Sequence, residues 1–189
     1  MKRILIVDDE PLLRLDLKEM LKQANYEVVG EATDGFEAIA MSKELEPDLI
    51  IMDIKMPLLD GLTASKKIMA EGTTSGIILL TAYSDDAFIQ KAKEFGALGY
   101  LIKPLHERAL IPMVELSLSK GQEFKRMSGE IKRLNTKLNE RKVIEKAKGK
   151  LMDLENISED EAYKKIREIS MNKRVSMMEI AETLVLIDE

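Results

Sequence analysis

The chain of 189 residues contains no cysteine, no tryptophan and a single histidine, His106. Disulfides, thiolate nucleophiles and cysteine-ligated zinc are therefore excluded, and one histidine cannot form a histidine-cluster metal site. No uninterrupted apolar run is longer than four residues, which excludes a membrane-spanning helix, and the first residues do not form a secretory signal peptide. We therefore expect a cytoplasmic protein with no membrane partner.

The composition that is present is typical of a globular protein, with 45% hydrophobic and 33% charged residues. The net charge of −5 is unevenly distributed. Residues 1–111 carry a net negative charge and residues 112–174 a net positive charge. Residues 175–189 contain acidic residues and no lysine or arginine. This segregation favours different partners for the two ends of the chain, although solvated helix faces would also explain it.

Short apolar runs alternate with helical periodicity over the first 111 residues. Because continuous apolar runs are typical of strands buried on both faces, the pattern predicts a parallel α/β sheet with helices on both sides. The predicted strands are 3–7, 27–32, 48–52, 77–80 and 99–102, and the predicted helices are 12–24, 35–45, 62–70 and 85–95.

Polar residues follow directly after four of these strands: Asp8 and Asp9, Asp53, Thr81, and Lys103. Each alone is unremarkable, since an aspartate after a strand is often only a helix N-cap. The carboxyl ends of parallel strands meet at one edge of the sheet, however, and ligands bind there. We therefore expect these five side chains to share one crevice.

Three clustered carboxylates repel one another and favour a hard divalent cation such as Mg²⁺. A carboxylate beside that ion can act as a nucleophile toward a phosphoryl group. The charge on the transferring oxygens then needs an ammonium group and hydrogen-bond donors, which Lys103 and Thr81 can supply. The predicted product is an acyl phosphate on an aspartate.

Four ordered motifs carry a family resemblance: 6–11 (IVDDEP), 53–57 (DIKMP) with Asp60-Gly61, 80–82 (LTA) and 100–104 (YLIKP). Over about residues 1–120 the chain resembles the receiver domain of two-component response regulators. The resemblance implies a flavodoxin-like, doubly wound, five-stranded parallel sheet. It also implies that a sensor histidine kinase is the phosphodonor and that Asp53 is the phosphoacceptor.

The resemblance also implies roles for the other residues. Asp8, Asp9 and the Lys55 backbone carbonyl would arrange Mg²⁺, with Asp9 and Asp53 favoured as its direct carboxylate ligands. Thr81 and Lys103 would bind the phosphoryl oxygens, and Lys103-Pro104 would be a cis peptide. Tyr100 would change orientation with phosphorylation, although it could simply be a half-buried strand aromatic.

Beyond His106 the sequence is helical to about residue 154. Five apolar residues in segment 121–141 follow the 3-4-3-4 spacing of a coiled coil, and we call them the seam: Phe124, Met127, Ile131, Leu134 and Leu138. A surface helix packed on its own protein is the alternative. Two heptads are marginal for stable pairing, so we expect a weak homodimer that phosphorylation can strengthen. Gly121 and Gly129 each weaken the helix by about 1 kcal/mol.

The C-terminal segment 142–189 predicts a three-helix unit. Capping boxes at 158–161 and 176–179 would start helices at about 159–170 and 177–187, after the end of the long helix. The expected core has three stripes, in which methionine acts as filler: Ile144, Ala147, Leu151 and Leu154; Ala162, Ile166 and Ile169; Met177, Ile180, Ala181, Leu184 and Ile187. The last helix carries Glu179, Glu182, Asp188 and Glu189 and no basic residue, which argues against DNA as the partner because the groove of DNA is negatively charged.

Segments 145–152, 158–167, 170–174 and Ile180-Ala181 together resemble the ANTAR domain, over about residues 125–189. The whole chain is similar to the ethanolamine-utilisation antiterminators. The resemblance implies a phosphorylation-driven dimer that binds paired RNA hairpins in leader transcripts and prevents terminator formation. From charge and helix face, matched to the family's positions, we predict these RNA-binding residues: Lys146, Ala147, Gly149, Lys150, Tyr163, Lys164, Arg167, Lys173 and Arg174.

The expected organisation is thus a receiver domain at 1–120, a coiled-coil linker helix at 121–141 and an RNA-binding domain at 142–189. Two alternatives remain open for the output, namely a DNA-binding regulator and a protein-interaction module. A multiple-turnover enzyme is not expected, because only a self-phosphorylating site is evident in the sequence.

Overall fold

The computed structural model describes residues 1–82 and 97–186. Five parallel strands form one sheet in the order β2-β1-β3-β4-β5. This confirms the predicted α/β fold. The strands are Arg3–Val7 (β1), Glu27–Ala32 (β2), Leu49–Asp53 (β3), Ile77–Thr81 (β4) and Gly99–Ile102 (β5). The predicted helix 85–95 lies outside the described residues.

The described part of the chain also forms six helices, and their starts follow from local chemistry. Pro11 occupies the first turn of its helix, where a missing N–H costs nothing. The side chains of Asp34 and Asp60 accept hydrogen bonds from the first free N–H groups of the next two helices. The helices are Pro11–Gln23 (α1), Gly35–Leu45 (α2), Gly61–Glu71 (α3), Glu107–Glu155 (α4), Glu159–Lys173 (α5) and Met177–Leu186 (α6).

Alternate residues of the strands supply two separate cores. Leu5, Ile50 and Leu79 pack on the face that α2 and α3 cover. Ile4 and Ile51 pack on the opposite face with residues of α1 and of the first turns of α4. The strand order reverses between β1 and β3, and in this class of sheet a crevice opens at that point, beyond the carboxyl ends of the strands.

The chain divides into two compact units, Met1–Arg126 and Met127–Glu189. In the second unit, the end of α4 packs with α5 and α6 around six buried residues: Ala147, Leu151, Ala162, Ile166, Ile180 and Ala181. Both predicted capping boxes form. Ser158 exchanges hydrogen bonds with Glu161, and Ser176 does the same with Glu179.

Two predictions about the second core need correction. Leu154 is 66% exposed, because it lies in the last turn of α4, immediately before the chain turns at Asn156 with φ of 53°. Met171 is 67% exposed and is not core filler, since it lies on the face of α5 opposite to Ile166. Ile187 lies outside the described residues. Within residues 1–82 and 97–186, no helix has the length and apolar character needed to cross a membrane.

Candidate functional site

Three carboxylates gather at the carboxyl edge of the sheet. Asp8 and Asp9 follow β1, and Asp53 ends β3, the neighbouring strand. One carboxylate oxygen of each lies within 4.8 Å of the other two. Asp8 and Asp53 are buried while Asp9 is exposed, and the backbone N–H of Glu10 donates to Asp8 Oδ1 at 2.9 Å. The parallel register of β1 and β3 therefore creates the acidic cluster.

The ammonium group of Lys103 joins this cluster from the loop after β5. Lys103 Nζ lies 2.9 Å from Asp8 Oδ2, 3.2 Å from Asp53 Oδ2 and 3.2 Å from Glu10 Oε1. The Lys103-Pro104 peptide bond is cis, as the resemblance implied. Sequence reasoning did not assign Glu10 to the site, although its position directly after Asp9 was a signal that could have done so.

Burial and charge act in opposite directions on these groups. Burial raises the pKa of Asp53 above its ordinary value, and the Lys103 ammonium only partly offsets that effect. Burial alone would lower the pKa of Lys103, but its hydrogen bond to Asp8 and the charges of Asp53 and Asp8 raise that pKa overall. Lys103 is therefore a permanent positive charge beside Asp53.

A pocket of about 210 Å³ opens above this group. Asp9, Asp53, Lys55, Thr81 and Lys103 all contribute to its lining. Thr81 is buried at the end of β4. The structure thus brings the five polar residues predicted from the strand ends to one place, and Lys55 with them. Tyr100 lies on β5 beside Leu79 and is 37% exposed.

A glycine lies against the backbone of Asp53. An added Cβ at Gly61 would lie 1.9 Å from the backbone oxygen of Asp53, and the Gly61 N–H donates to Ile54 O at 2.9 Å. Only a residue without a side chain permits this approach of α3 to the end of β3. The Asp60-Gly61 pair of the motif therefore fixes the backbone that carries Asp53.

The seam residues are all exposed, between 49% and 57%, as is every residue from 122 to 142. Apolar side chains with this spacing on an otherwise polar helix are typical of a coiled-coil surface. Beside Leu134 and Leu138 a shallow groove is lined by residues of α4 alone, including Lys137 and Arg141.

The predicted RNA-binding residues do not share one environment. Lys146, Lys164, Arg167, Lys173 and Arg174 are exposed, and Tyr163 is 44% exposed. Gly149 and Lys150 are half-buried, and Lys150 Nζ donates to the backbone oxygen of Val185 at 2.8 Å. Ala147 is completely buried in the second core, so its inclusion among RNA-contacting side chains was wrong.

Two further lysines of this segment form ion pairs within the protein. Lys148 Nζ lies 2.8 Å from Glu145 Oε1 and 2.7 Å from Glu159 Oε1. Lys165 forms an ion pair with Glu155. The charge of these two lysines is thus locally balanced, and neither contributes as much to an anion-binding surface as the exposed bases do.

The sequence matches the response regulator receiver domain family over residues 4–115 and the ANTAR domain family over residues 132–185. This chain belongs to the response regulators. Its regulatory architecture joins a receiver domain to an ANTAR domain, and both are regulatory rather than catalytic families.

Full-length similarity extends the assignment over nearly the whole response regulator. This chain is 41% identical over 184 residues to the transcriptional regulatory protein PdtaR of Mycobacterium tuberculosis, and the match covers 97% of this chain and 89% of that protein. The chemotaxis protein CheY of Thermotoga maritima is 41% identical over 110 residues, which cover 58% of this chain and 92% of CheY.

Solved structures resemble the receiver part of the response regulator. The receiver domain of a modulated diguanylate cyclase from Desulfovibrio desulfuricans superposes with a TM-score of 0.60 at 30% identity, covering 65% of this chain and 97% of that one. CheY4 of Vibrio cholerae gives a TM-score of 0.58 at 32% identity, covering 61% and 97%.

Proposed function

We propose that this response regulator is activated by phosphorylation of Asp53, dimerises, and then binds RNA hairpins in leader transcripts to cause transcription antitermination. The observation that carries the proposal is the Lys103 ammonium, 3.2 Å from a buried Asp53 in a pocket lined by oxygen ligands. We assign residues 1–120 to phosphorylation, 121–141 to dimerisation and 142–189 to RNA binding.

The pocket residues fit a magnesium ion. Three carboxylates supply the hard oxygen ligands that Mg²⁺ prefers. Asp8 is completely buried and does not line the pocket, and its Oδ1 already accepts the Glu10 N–H. We therefore assign Asp9, Asp53 and the Lys55 carbonyl as the ligands. When bound, the ion would neutralise negative charge on the phosphoryl oxygens.

The reaction that we assign to Asp53 is a single phosphoryl transfer. One carboxylate oxygen attacks phosphorus of a phosphohistidine or a small acyl phosphate. The bond from phosphorus to the donor breaks, its electron pair leaves with the donor, and an acyl phosphate forms. Lys103 and Thr81 hold the phosphoryl oxygens, and a sensor histidine kinase is the donor that the receiver family implies. Because the product stays on the protein, we regard the chain as a regulator and not a turnover enzyme.

The seam is the dimer contact that we propose. Its five apolar side chains are about half-exposed in one chain, and a second copy would bury them in a parallel stripe. The energy of two heptads is small, so a bias of about 1–3 kcal/mol from the receiver is enough to change the dimer population several-fold or more.

RNA is the partner that we assign to the ANTAR unit. Exposed lysine and arginine side chains line α5 and the turn after it. In contrast, α6 carries Glu179 and Glu182 and no lysine or arginine between residues 177 and 186. A helix of that charge is unsuited to the groove of duplex DNA. An aromatic beside cations on α5 suits unpaired bases of a hairpin loop. Because the RNA that we propose as the partner is a leader transcript, we assign the protein to the cytoplasm.

The test compares binding of the full chain to a hairpin RNA and to duplex DNA, with and without acetyl phosphate. We expect tighter RNA binding after phosphorylation, and stronger binding to DNA would reject the proposal. The triple variant Lys164→Gln, Arg167→Gln, Arg174→Gln should lose RNA affinity. Unchanged affinity in that variant would favour a protein-interaction output instead.

A further inference from the structure

Met171 is an apolar side chain exposed in a basic environment. Its side chain is 67% exposed on the last turn of α5. Arg167 lies one turn before it and Arg174 three residues after it, and Tyr163, 44% exposed, lies two turns before it. We call Tyr163, Arg167, Met171 and Arg174 the α5 stripe. The other positions three and four residues from Met171 are Glu168 and Val175. The two arginines thus outnumber the one glutamate, and the local charge is positive.

The position of the stripe is fixed by the fold of the ANTAR unit. Ala162 and Ile166 are buried in the core, so the opposite face of α5 is directed outward. At the end of α5, Arg174 adopts the left-handed conformation with φ of 56°, and its N–H donates to Met171 O at 3.3 Å. The Ser170 hydroxyl donates to Val175 O at 2.6 Å. The turn therefore holds the backbone of Arg174 close to Met171.

Building on the proposed function, we propose that Met171 is an RNA-contacting residue that packs against an unpaired base of the hairpin loop. The surrounding cations favour a polyanion over a protein surface, and a polarizable thioether packs favourably against an aromatic face such as that of a base. Paired bases in a stem present phosphates and sugars, whereas loop bases can splay out and expose their faces. Tyr163 and the two guanidinium groups supply stacking and phosphate contacts on either side. Loop bases are therefore the chemistry that the stripe recognises.

The test uses the full chain phosphorylated with acetyl phosphate and Mg²⁺. The variants are Met171→Ala, Met171→Leu as a conservative rescue, and Leu154→Ala as a matched control. Leu154 is equally exposed, at 66%, but lies between Asp153 and Glu155. The probes are a hairpin selected from a pool with a fixed stem and a randomised loop, and a duplex RNA with the same stem sequence and no loop.

We expect Met171→Ala to bind the hairpin about tenfold more weakly than the wild type, while Met171→Leu and Leu154→Ala remain within about twofold. The duplex should bind all variants equally. The salt dependence separates the roles within the stripe. Met171→Ala should keep the wild-type slope of log affinity against log salt, while Arg167→Gln should reduce the slope by about 0.7 for one lost phosphate contact.

Equal hairpin affinity of the wild type and Met171→Ala would overturn the proposal and favour a protein partner for the exposed methionine. An equal loss in Leu154→Ala would also overturn it, because the effect would not depend on the α5 stripe. If the wild type bound no hairpin, the proposed function itself would fail and this proposal with it. The first two outcomes leave the proposed function intact, so the two failures are distinguishable.

Discussion

At the residue scale, one ammonium group organises the acidic pocket. Lys103 contacts Asp8, Asp53 and Glu10, which come from two different strand ends. Three carboxylates this close would repel one another strongly without a cation. The lysine balances part of that charge, and the remainder makes the pocket attractive to a divalent ion.

The first residue-scale prediction concerns this ion. Asp9→Asn should weaken Mg²⁺ binding at least about tenfold, because it removes one of the assigned carboxylate ligands. Calorimetric titration of the full chain with MgCl₂ measures the affinity. Asp16→Asn, an exposed carboxylate on α1 outside the pocket lining, is the control for loss of one negative charge. Equal affinity in Asp9→Asn and the wild type would contradict the ligand assignment.

The second residue-scale prediction concerns Asp48. Burial would raise its pKa, but hydrogen bonds from the Arg3 N–H, at 2.9 Å, and from Lys2 Nζ, at 3.2 Å, lower it overall. A carboxyl whose folded pKa is below its unfolded value stabilises the protein above the unfolded pKa of about 3.9. That stabilisation is lost as the pH falls through the folded pKa.

Asp48→Asn should therefore lower the free energy of unfolding by about 1 kcal/mol at neutral pH. The difference from the wild type should shrink toward zero in acid. Urea unfolding across the acidic range measures it, with Asp16→Asn again as the charge control. A difference that stays constant from neutral pH into acid would show that the carboxylate charge is not what stabilises this contact.

At the element scale, the two glycines within α4 between residues 120 and 130 have different roles. An added Cβ at Gly121 would lie 2.6 Å from the backbone oxygen of Ser75, whereas one at Gly129 would meet nothing within 4 Å. Gly121 thus permits a close approach of the helix to the loop before β4. Gly129 only lowers helix propensity.

Because the surroundings of the two glycines differ, replacement by alanine should change the stability of the protein in opposite directions at the two positions. Gly129→Ala should stabilise α4 by about 1 kcal/mol and increase its helicity. Gly121→Ala should destabilise the protein by about 1–3 kcal/mol, because the Ser75 backbone must move. Thermal unfolding followed by circular dichroism measures both. Equal stabilisation of both variants would show that the close approach of Gly121 to the Ser75 backbone does not matter for stability.

The second prediction at this scale concerns dimerisation through the seam. Replacing Ile131 and Leu134 together by serine should weaken dimerisation of the phosphorylated chain by about 100-fold or more, because each apolar side chain contributes about 1.5–3 kcal/mol when buried. Sedimentation over a range of protein concentrations measures the dimer fraction. Asn135→Ser, one residue outside the seam, is the control. A double variant that dimerised like the wild type would place the dimer contact elsewhere.

The elements were predictable because local signals define them. The strands are continuous apolar runs, and Asp34, Asp60 and Ser158 start helices as N-caps. The sequence-predicted pocket residues needed only the rule that parallel strands end at one edge. The burial of Ala147 and the exposure of Leu154 depend on how three helices pack, which spacing along one helix does not determine. The contact of Gly121 with Ser75 joins distant parts of the chain and left no local signal.

At the scale of the whole molecule, the proposed function requires that a phosphate on one aspartate controls recognition of RNA by another domain. We propose that the link is a change in dimer population, and such a change requires only a modest coupling energy. A coupling of about 1–3 kcal/mol changes an equilibrium constant by about 5- to 150-fold. A seam of only five half-exposed side chains suits that range, because a much stronger coiled coil would be paired in either state.

The most direct test is the mass of the full chain measured by light scattering before and after addition of acetyl phosphate with Mg²⁺, with Asp53→Asn measured in parallel. We predict that the wild-type mass rises from near one chain, 21.4 kDa, toward two chains. Asp53→Asn should not change under the same conditions. A wild-type mass that is the same before and after phosphorylation would contradict the account.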